Sequence, residues 1–296
     1  MTQFMIIKIE PMKPADFQEI ARIDEAIFNR DGQIRPVENI AALFCHASAG
    51  CFVAKNSGVV GYVFSKILGD VGYVGPLGVM PKYRGGGLGK QMIEQSVQFL
   101  KNAGCKTIGL ETRAEIADNI GLYMAMGFRP APITLSFVPK QSPQTSLSQD
   151  VYGKYEICPK EADLFFHKVT KASGIDLGPD FRFCENNGPA DVYFVKNHGE
   201  LNGFLAYTPI LYPHVWGGFI NHFSNQDFMA LYKKLQQKNL GESLAVRANS
   251  RYTSLYKLIG RSFNAERCLV RMLLNGYEGD FLNETEAAVV LRSWIS

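Results

Sequence analysis

The sequence predicts an α/β fold in which helices pack on a mixed sheet and the second half of the chain repeats the first. Three observations favour this fold. Three apolar segments, 51–55, 59–67 and 71–80, follow one another with turn residues between them, which is typical of an antiparallel meander. A glycine-rich loop then leads directly into a helix. Short sequence matches recur in the same order in the second half, which indicates a duplication.

The composition is that of an ordinary globular protein. Of 296 residues, 46% are hydrophobic and 20% are charged, which excludes a largely disordered chain. The net charge of +3 is too small to imply a nucleic-acid partner, and no apolar stretch approaches the roughly 18 residues of a membrane span. Because the N-terminus also lacks the long apolar core of a secretory signal, we expect a cytoplasmic protein. Its oligomeric state does not follow from the sequence.

The spacing of cysteines and histidines predicts no metal site. The six cysteines include no Cys-x-x-Cys pair, and the five histidines show no close ligand spacing. We therefore expect the cysteines to be packing residues.

The first fifty residues predict one strand and two helices. Met5–Glu10 is a strand segment, and Pro14 marks the start of the first helix. Apolar residues then repeat at helical spacing: Phe17, Ile20, Ile23, Ile27 and Phe28. Pro36 begins a shorter helical pattern that runs through Phe44.

Helices and strands alternate after the meander. The helix that opens near Leu88 has one apolar face, and Gly104 is placed to end it. A strand at Lys106–Thr112, a helix at Asn119–Met126 and a strand at Phe128–Val138 complete the first half.

The duplication rests on matches of residue type at nearly constant offset. Residues 53–58 (VAKNSG) match residues 194–199 (FVKNHG), and Leu122-Tyr123 matches Leu255-Tyr256. A terminal helix is expected at Asn283–Trp294.

The boundaries of the two domains follow from this repeat. We predict a first domain at 1–140, a linker rich in Gln and Ser at 141–152, and a second domain at 153–296.

The loop Arg84-Gly85-Gly86-Gly87 is the segment most informative about chemistry. Successive glycines let backbone N–H groups converge, and the following helix N-terminus adds partial positive charge, so the loop fits a phosphate or pyrophosphate. A nucleotide P-loop is excluded because Gly89-Lys90 is followed by Gln91 rather than Ser or Thr. A dinucleotide fingerprint is excluded because Lys90 stands where its last glycine belongs.

Two motifs resemble the GNAT superfamily of acyl-CoA N-acyltransferases. Residues 84–89 (RGGGLG) are similar to its Arg/Gln-Gly-x-Gly-x-Gly/Ala loop, and residues 119–128 match its Asn-x-x-x-x-Tyr-x-x-x-Gly-Phe motif. The resemblance covers about residues 5–138 and implies binding of acetyl-CoA, with the pyrophosphate at the loop and the pantetheine arm along the preceding strand. The residues that it implies for cofactor binding are Leu77, Gly78, Val79, Arg84, Gly85, Gly86, Gly87, Leu88, Gly89, Lys90, Asn119 and Tyr123.

The resemblance also implies an N-acetyltransferase, an enzyme in which an amine attacks the thioester carbonyl. Backbone N–H groups near Val79 would stabilise the charge on the carbonyl oxygen, and Tyr123 would donate a proton to the leaving thiolate. The general base is open between Glu111, on the strand beside the cofactor cleft, and Glu25, on the first helix. An acceptor amine of low pKa needs no base at all.

The second half lacks the parts that carry this chemistry. No glycine-rich loop follows its third strand, and Tyr252 stands at the position that corresponds to Asn119. We expect a degenerate GNAT-like domain and an acceptor that is a small-molecule amine or a protein amine. The alternative is a sensor that binds acyl-CoA without turnover.

Overall fold

The computed structural model describes residues 7–28, 36–140, 150–186, 190–209, 212–221, 223–242, 244–279 and 287–292. These residues form fourteen strands: β1 (Lys8–Pro11), β2 (Phe52–Asn56), β3 (Gly58–Leu68), β4 (Val71–Val79), β5 (Thr107–Arg113), β6 (Phe128–Pro130), β7 (Thr134–Pro139), β8 (Val151–Gly153), β9 (Asp191–Asn197), β10 (Glu200–Thr208), β11 (Tyr212–Ile220), β12 (Val246–Asn249), β13 (Phe263–Glu278) and β14 (Ala288–Leu291). They also form eight α-helices: α1 (Phe17–Phe28), α2 (Val37–Ala47), α3 (Leu88–Asn102), α4 (Ala117–Ala125), α5 (Pro159–Ser173), α6 (Gly178–Asn186), α7 (Asn225–Lys238) and α8 (Thr253–Ser262).

The predicted meander is confirmed. Strands β2, β3 and β4 pair antiparallel in chain order, and β1 adds to the outer edge of β2. Helices α1 and α2 cover one face of these strands, where their apolar residues pack with Tyr62 and Phe64. Helix α3 covers the other face, where Met92 and Ile93 pack with Val60 and Val63. The sheet of the first half is therefore buried on both faces.

The order of elements occurs twice along the chain. A strand, two helices, a three-strand meander, a helix, a strand and a helix run from β1 to α4 and again from β8 to α8; β6 and β7 then end the first series, and β13 follows in the second. The matched turns share their backbone conformation, because Ser57 and His198 both have a φ of 50° although neither is glycine. The repeat read from the sequence is therefore present in the backbone.

All fourteen strands belong to one continuous sheet. Its path runs β1-β2-β3-β4-β5-β13-β7-β12-β11-β10-β9-β8, with β6 beside β13 and β14 beside β11. Strand β5 of the first half pairs with β13 of the second, and β12 of the second half pairs with β7 of the first. Each half therefore takes its last strand from the other.

The predicted domain boundaries, with a linker at 141–152, can be compared with the observed strands. Most of the predicted linker, residues 141–149, lies outside the described residues, and its last two residues, Val151 and Tyr152, form β8 and pair with β9. The boundaries follow the order of the repeat along the chain, whereas β7 and β13 each cross into the sheet of the other half.

The terminal helix expected at 283–294 is wrong for the residues that the structure describes there. Residues 288–291 form β14, which pairs antiparallel with residues 217–220 of β11. Two consecutive valines favour an extended backbone, and the short apolar run buries both faces of a strand as readily as one face of a helix. Residues 283–286 and 293–294 lie outside the described part of the chain.

Candidate active site

The site is built around an opening between β4 and β5. These strands are parallel and pair only at Val71, Gly72 and Tyr73, opposite Thr107, Ile108 and Gly109. Beyond these pairs β4 continues to Val79 and β5 continues to Arg113 without pairing to each other, while β13 pairs along the opposite edge of β5. The strands therefore diverge, and a slot lies between them at the carboxyl end of β4.

The backbone of β4 presents a donor to this slot. The N–H of Met80 donates to the carbonyl oxygen of Val60 on β3, at 3.0 Å. Because successive N–H groups of a strand point to opposite edges, the N–H of Val79 points away from β3 and toward the opening. This is the position from which a backbone amide can bind a carbonyl oxygen lying in the slot.

The glycine-rich loop lies at the end of the same strand. Gly85 and Gly87 have φ values of 82° and 81°, which favour glycine, and Gly87 is the N-cap of α3. A Cβ added to Gly85, Gly86 or Gly87 would meet no protein atom within 4 Å. The loop therefore holds a special backbone conformation and leaves open space above it, as a bound phosphate requires.

Other predicted loop residues tie the loop to β4. The Nε of Arg84 donates to the carbonyl oxygen of Val79 at 2.9 Å, so part of this side chain anchors the loop. A Cβ on Gly89 would lie 3.9 Å from Val79 Cγ2 and 4.0 Å from Leu77 Cδ2. Leu88 is buried below the first turn of α3. Lys90 is exposed, and its Nζ lies 3.8 Å from Glu94 Oε1. The structure thus brings the predicted residues 77–79 and 84–90 together.

The second predicted motif lies on α4. Tyr123 is half-buried, and its ring packs edge-on against Phe128 with centroids 6.2 Å apart. Burial raises the pKa of the Tyr123 phenol to about 12. Asn119 lies one turn earlier on the same helix. Tyr123 belongs to the apolar cluster that includes α3 residues, so Tyr123 and the glycine loop are on the same face of the sheet.

Glu111 lies on β5, two residues beyond the last pair with β4, and is buried. Its Oε1 accepts hydrogen bonds from Thr134 Oγ1 at 2.6 Å and from Arg271 Nε and Nη2 at 2.9 and 2.6 Å. An oxygen that already accepts three hydrogen bonds is less available for a substrate proton, so this geometry favours a structural role. The base role predicted for Glu111 from the sequence stays a prediction.

On α1 the carboxylate that points into the protein is Asp24 and not Glu25, the candidate base considered from the sequence. Glu25 is exposed, whereas Asp24 is 1% exposed and accepts a hydrogen bond from the Tyr62 hydroxyl. Asp24 follows Ile20 by four residues and precedes Ile27 by three, so helical spacing alone puts it on the apolar face. That spacing was the signal for Asp24.

The corresponding opening in the second half is filled. Strands β11 and β12 pair only at Val215 and Val246, and β14 then pairs with β11 on the edge that is free in β4. The helix that follows, α7, is capped by Ser224, whose side chain accepts from the N–H of Asp227 at 3.2 Å. The second half therefore has neither the slot nor the glycine loop of the first.

Within the described ranges, no group of three or more His, Cys, Asp or Glu side chains is arranged to hold a metal ion. Over the same residues, no helix is both long and apolar enough to cross a lipid bilayer.

Comparison with known proteins gives the family of the first half. Residues 17–128 match the model of the Acetyltransferase (GNAT) family, and this range contains both motifs and the slot between β4 and β5. This part of the chain belongs to the GNAT family of acetyltransferases. The resemblance read from residues 84–89 and 119–128 is confirmed.

Two curated relatives show the extent of the likeness to GNAT enzymes. Over 87 residues the chain is 29% identical to the ribosomal protein bS18-alanine N-acetyltransferase of Escherichia coli (strain K12), a match that spans 29% of this chain and 59% of that protein. Over 142 residues it is 27% identical to the mycothiol acetyltransferase of Nocardia farcinica, which spans 42% of this chain and 45% of that protein. The chain thus matches about half of the length of these relatives.

Solved structures extend the GNAT fold to the whole chain. A putative acetyltransferase from Pyrococcus horikoshii superposes with a TM-score of 0.78, covering 98% of this chain and 95% of that one at 17% identity. A GCN5-related N-acetyltransferase from Sphaerobacter thermophilus has a TM-score of 0.64 at 16% identity and covers 92% and 96%. At these identities the likeness shows the fold alone: an α/β protein with a mixed sheet and two GNAT-like units.

Proposed function

We propose that the first half transfers an acetyl group from acetyl-CoA to a primary amine. The observation that carries this proposal is the slot between β4 and β5, which has the glycine loop at one end and the Val79 N–H on its edge, with Tyr123 on the same face of the sheet as the loop. A thioester in the slot presents its carbonyl oxygen to an amide donor and its sulfur to a phenol. This is the pair of contacts that acyl transfer to an amine requires.

Different residues of the site bind different parts of the cosubstrate. The first-turn amides of α3, at Leu88, Gly89 and Lys90, have no acceptor within the helix and carry the positive end of its dipole, which suits a pyrophosphate. Leu77, Gly78 and Val79 supply the strand edge along which a pantetheine arm lies. Asn119 and Tyr123 border the same face.

Tyr123 acts by donating a hydrogen bond to the sulfur as the C–S bond breaks. Its pKa of about 12 keeps the phenol protonated at neutral pH, so the donor is always present. Full proton transfer to a thiolate, whose conjugate thiol has a pKa of about 8.5, is uphill from such a phenol, so the hydrogen bond rather than complete transfer supplies the stabilisation. The thiolate then acquires its proton from water.

We propose that the catalytic unit is 1–140 and that 153–296 is a degenerate GNAT-like unit that does not bind acetyl-CoA. The β14 strand in its slot and the Ser224 cap in place of glycines support this division. The described part of the second half supplies β13 to the sheet of the first, so it supports the catalytic unit mechanically.

The acceptor is a small-molecule amine or a protein amine. Relatives of the first half are named for both classes: an alanine of a ribosomal protein in one case and glucosamine 6-phosphate in another. An amine screen should therefore contain short peptides with free N-termini, amino sugars and amino acids.

The cofactor assignment is tested by calorimetric titration with acetyl-CoA. We expect micromolar binding by the wild-type protein and none by a Gly87→Asp variant, because the added carboxylate repels the pyrophosphate. Gly104→Asp is the matched control, since Gly104 ends the same helix with a φ of 80° and equally open surroundings. No binding by the wild-type protein would refute the proposed function.

The enzyme is distinguished from a non-catalytic sensor by a Tyr123→Phe variant. We expect thiol release from acetyl-CoA with at least one amine of the screen, and a loss of turnover in Tyr123→Phe while acetyl-CoA affinity stays within about twofold. Equal binding by both forms without turnover by either would favour the sensor.

A further inference from the structure

A buried carboxylate and a buried phenol pair within the first half, outside the groups assigned so far. Tyr62 is 0% exposed, Asp24 is 1% exposed, and the Tyr62 hydroxyl donates to Asp24 Oδ1. Removing a carboxylate from water is unfavourable, and a buried polar pair is weak evidence for added stability. A phenylalanine opposite an apolar residue would fill this space without that cost.

The phenol lies directly on β4 beside the slot. Tyr62 on β3 is the register partner of Gly78 on β4. A Cβ added to Gly78 would lie 2.5 Å from Tyr62 Cε1 and 3.1 Å from its hydroxyl oxygen. The ring of Tyr62 therefore occupies the space that any side chain at Gly78 would need, so this glycine serves the tyrosine as well as the cosubstrate.

The residue after Gly78 is Val79, whose N–H points into the opening. With no side chain of its own, Gly78 is held on this face by the Tyr62 ring, and Tyr62 is held by Asp24 of α1. This face is the one covered by α1 and α2, opposite the face that contains Tyr123. A continuous set of contacts thus leads from α1 to the peptide that carries the proposed oxyanion donor.

We propose that Asp24 and Tyr62 are positioning residues that fix the Val79 N–H where it binds the thioester carbonyl oxygen. The proposal rests on the proposed function, because it names the support of the oxyanion donor in that same site. Neither residue touches the reacting atoms. Both act through Gly78, and an error of about 1 Å in the place of one donor is enough to lower a rate by about a hundredfold.

The test reads the carbonyl directly and needs no acceptor. Acetyl-CoA labelled with ¹³C at the carbonyl is bound to the protein, and its carbonyl stretching band is recorded by infrared difference spectroscopy. A hydrogen bond from Val79 polarises the carbonyl and shifts the band to lower frequency in the wild-type complex. We expect Tyr62→Leu and Asp24→Leu to lose most of this shift, while calorimetry shows acetyl-CoA affinity within about threefold of wild type.

Conservative variants separate positioning from other roles and remain useful if the leucine variants do not fold. Asp24→Asn keeps an oxygen that accepts from the phenol, so we expect it to retain the band shift and the turnover. Tyr62→Phe keeps the ring on Gly78 and loses the anchor, so we expect a partial loss of the shift and a fall in kcat of about tenfold with little change in KM. Tyr232→Phe is the matched control, because Tyr232 is equally buried and donates to Leu244 in the second half.

The possible failures are distinguishable. No acetyl-CoA binding by the wild-type protein overturns the proposed function and this inference with it. Binding with an unshifted carbonyl band in the wild-type complex, or with a shift that Tyr62→Phe leaves intact, overturns the inference alone. A loss of turnover in Asp24→Asn as large as in Asp24→Leu also overturns it, because the charge and not the anchor would then be required.

Discussion

Glu111 and Arg271 are 160 residues apart in the chain and form a buried ion pair across the boundary between the two halves, with Arg271 Nη2 2.6 Å from Glu111 Oε1. The two residues are register partners on β5 and β13. The pair therefore joins the strand next to the slot to the strand that the second half contributes. It gives Glu111 a role in assembling the site.

We expect the Glu111→Gln substitution to reduce the stability of the fold more than it reduces turnover. Removing one member of a buried pair leaves the other charge uncompensated, so we expect the free energy of unfolding to fall by about 3–5 kcal/mol, measured by urea denaturation. The exposed Glu115→Gln is the control and should stay within about 0.5 kcal/mol. A variant of unchanged stability that loses turnover would instead support Glu111 as the general base.

A Gly86→Ala variant tests the open space above the loop without adding charge. Because a Cβ at Gly86 would meet no protein atom within 4 Å, the thermal unfolding midpoint should change little. The added methyl group occupies ligand space, so acetyl-CoA affinity should fall at least about tenfold by calorimetry. An unchanged affinity would place the pyrophosphate elsewhere.

The number of acetyl-CoA molecules bound per chain tests the proposal that only the first half binds the cosubstrate. Since β14 pairs along β11 where β4 is open, we expect one acetyl-CoA per chain in calorimetric titration. Gly87→Asp should abolish all of it. A second site that survives in Gly87→Asp would contradict the proposal that the second half does not bind acetyl-CoA.

Acid should destabilise the protein through His214. Burial, with the charges of Arg247 and Arg292 as further causes, holds the pKa of His214 well below the usual histidine value of about 6.5. Below pH 6.5 the unfolded chain binds a proton that the folded protein does not, so stability falls as the pH falls, by at most about 1.4 kcal/mol per pH unit from this group.

The measurement is urea denaturation of wild type and His214→Gln between pH 5 and 7. We expect the variant to show a shallower loss of stability over that range. The same substitution at His167, which is exposed on α5, serves as the matched control. Equal slopes in wild type and His214→Gln would show that the imidazole is not the group responsible.

Local features were predictable because local residues determine them. The meander, the helix that begins at Leu88 and the conformation of the loop follow from turn residues, apolar spacing and glycines within a few positions. The two motifs at 84–89 and 119–128 both contribute residues to the face of the sheet that α3 covers. That part of the site could be located from the sequence.

Features that depend on distant pairing were not predictable from spacing. Nothing near Glu111 in the sequence indicates Arg271, and nothing near β5 indicates that its neighbour is β13. The error at β14 has the same origin, because its partner β11 selects an extended form for a run whose spacing fits either structure. Asp24 differs because it was predictable from its spacing to Ile20 and Ile27 on α1. Glu25 is the next residue along the helix and therefore points away from the apolar face.

The exchange of last strands bears on how the protein is made. Strand β5 borders the slot and ends at Arg113, whereas its neighbour β13 begins at Phe263, 150 residues later. At about 5–20 residues per second of synthesis, the ribosome needs roughly 10–30 s to deliver that neighbour. During this interval the edge of β5 that faces away from the slot is unpaired, so the candidate site is among the last parts of the molecule to be completed although its own residues are made first.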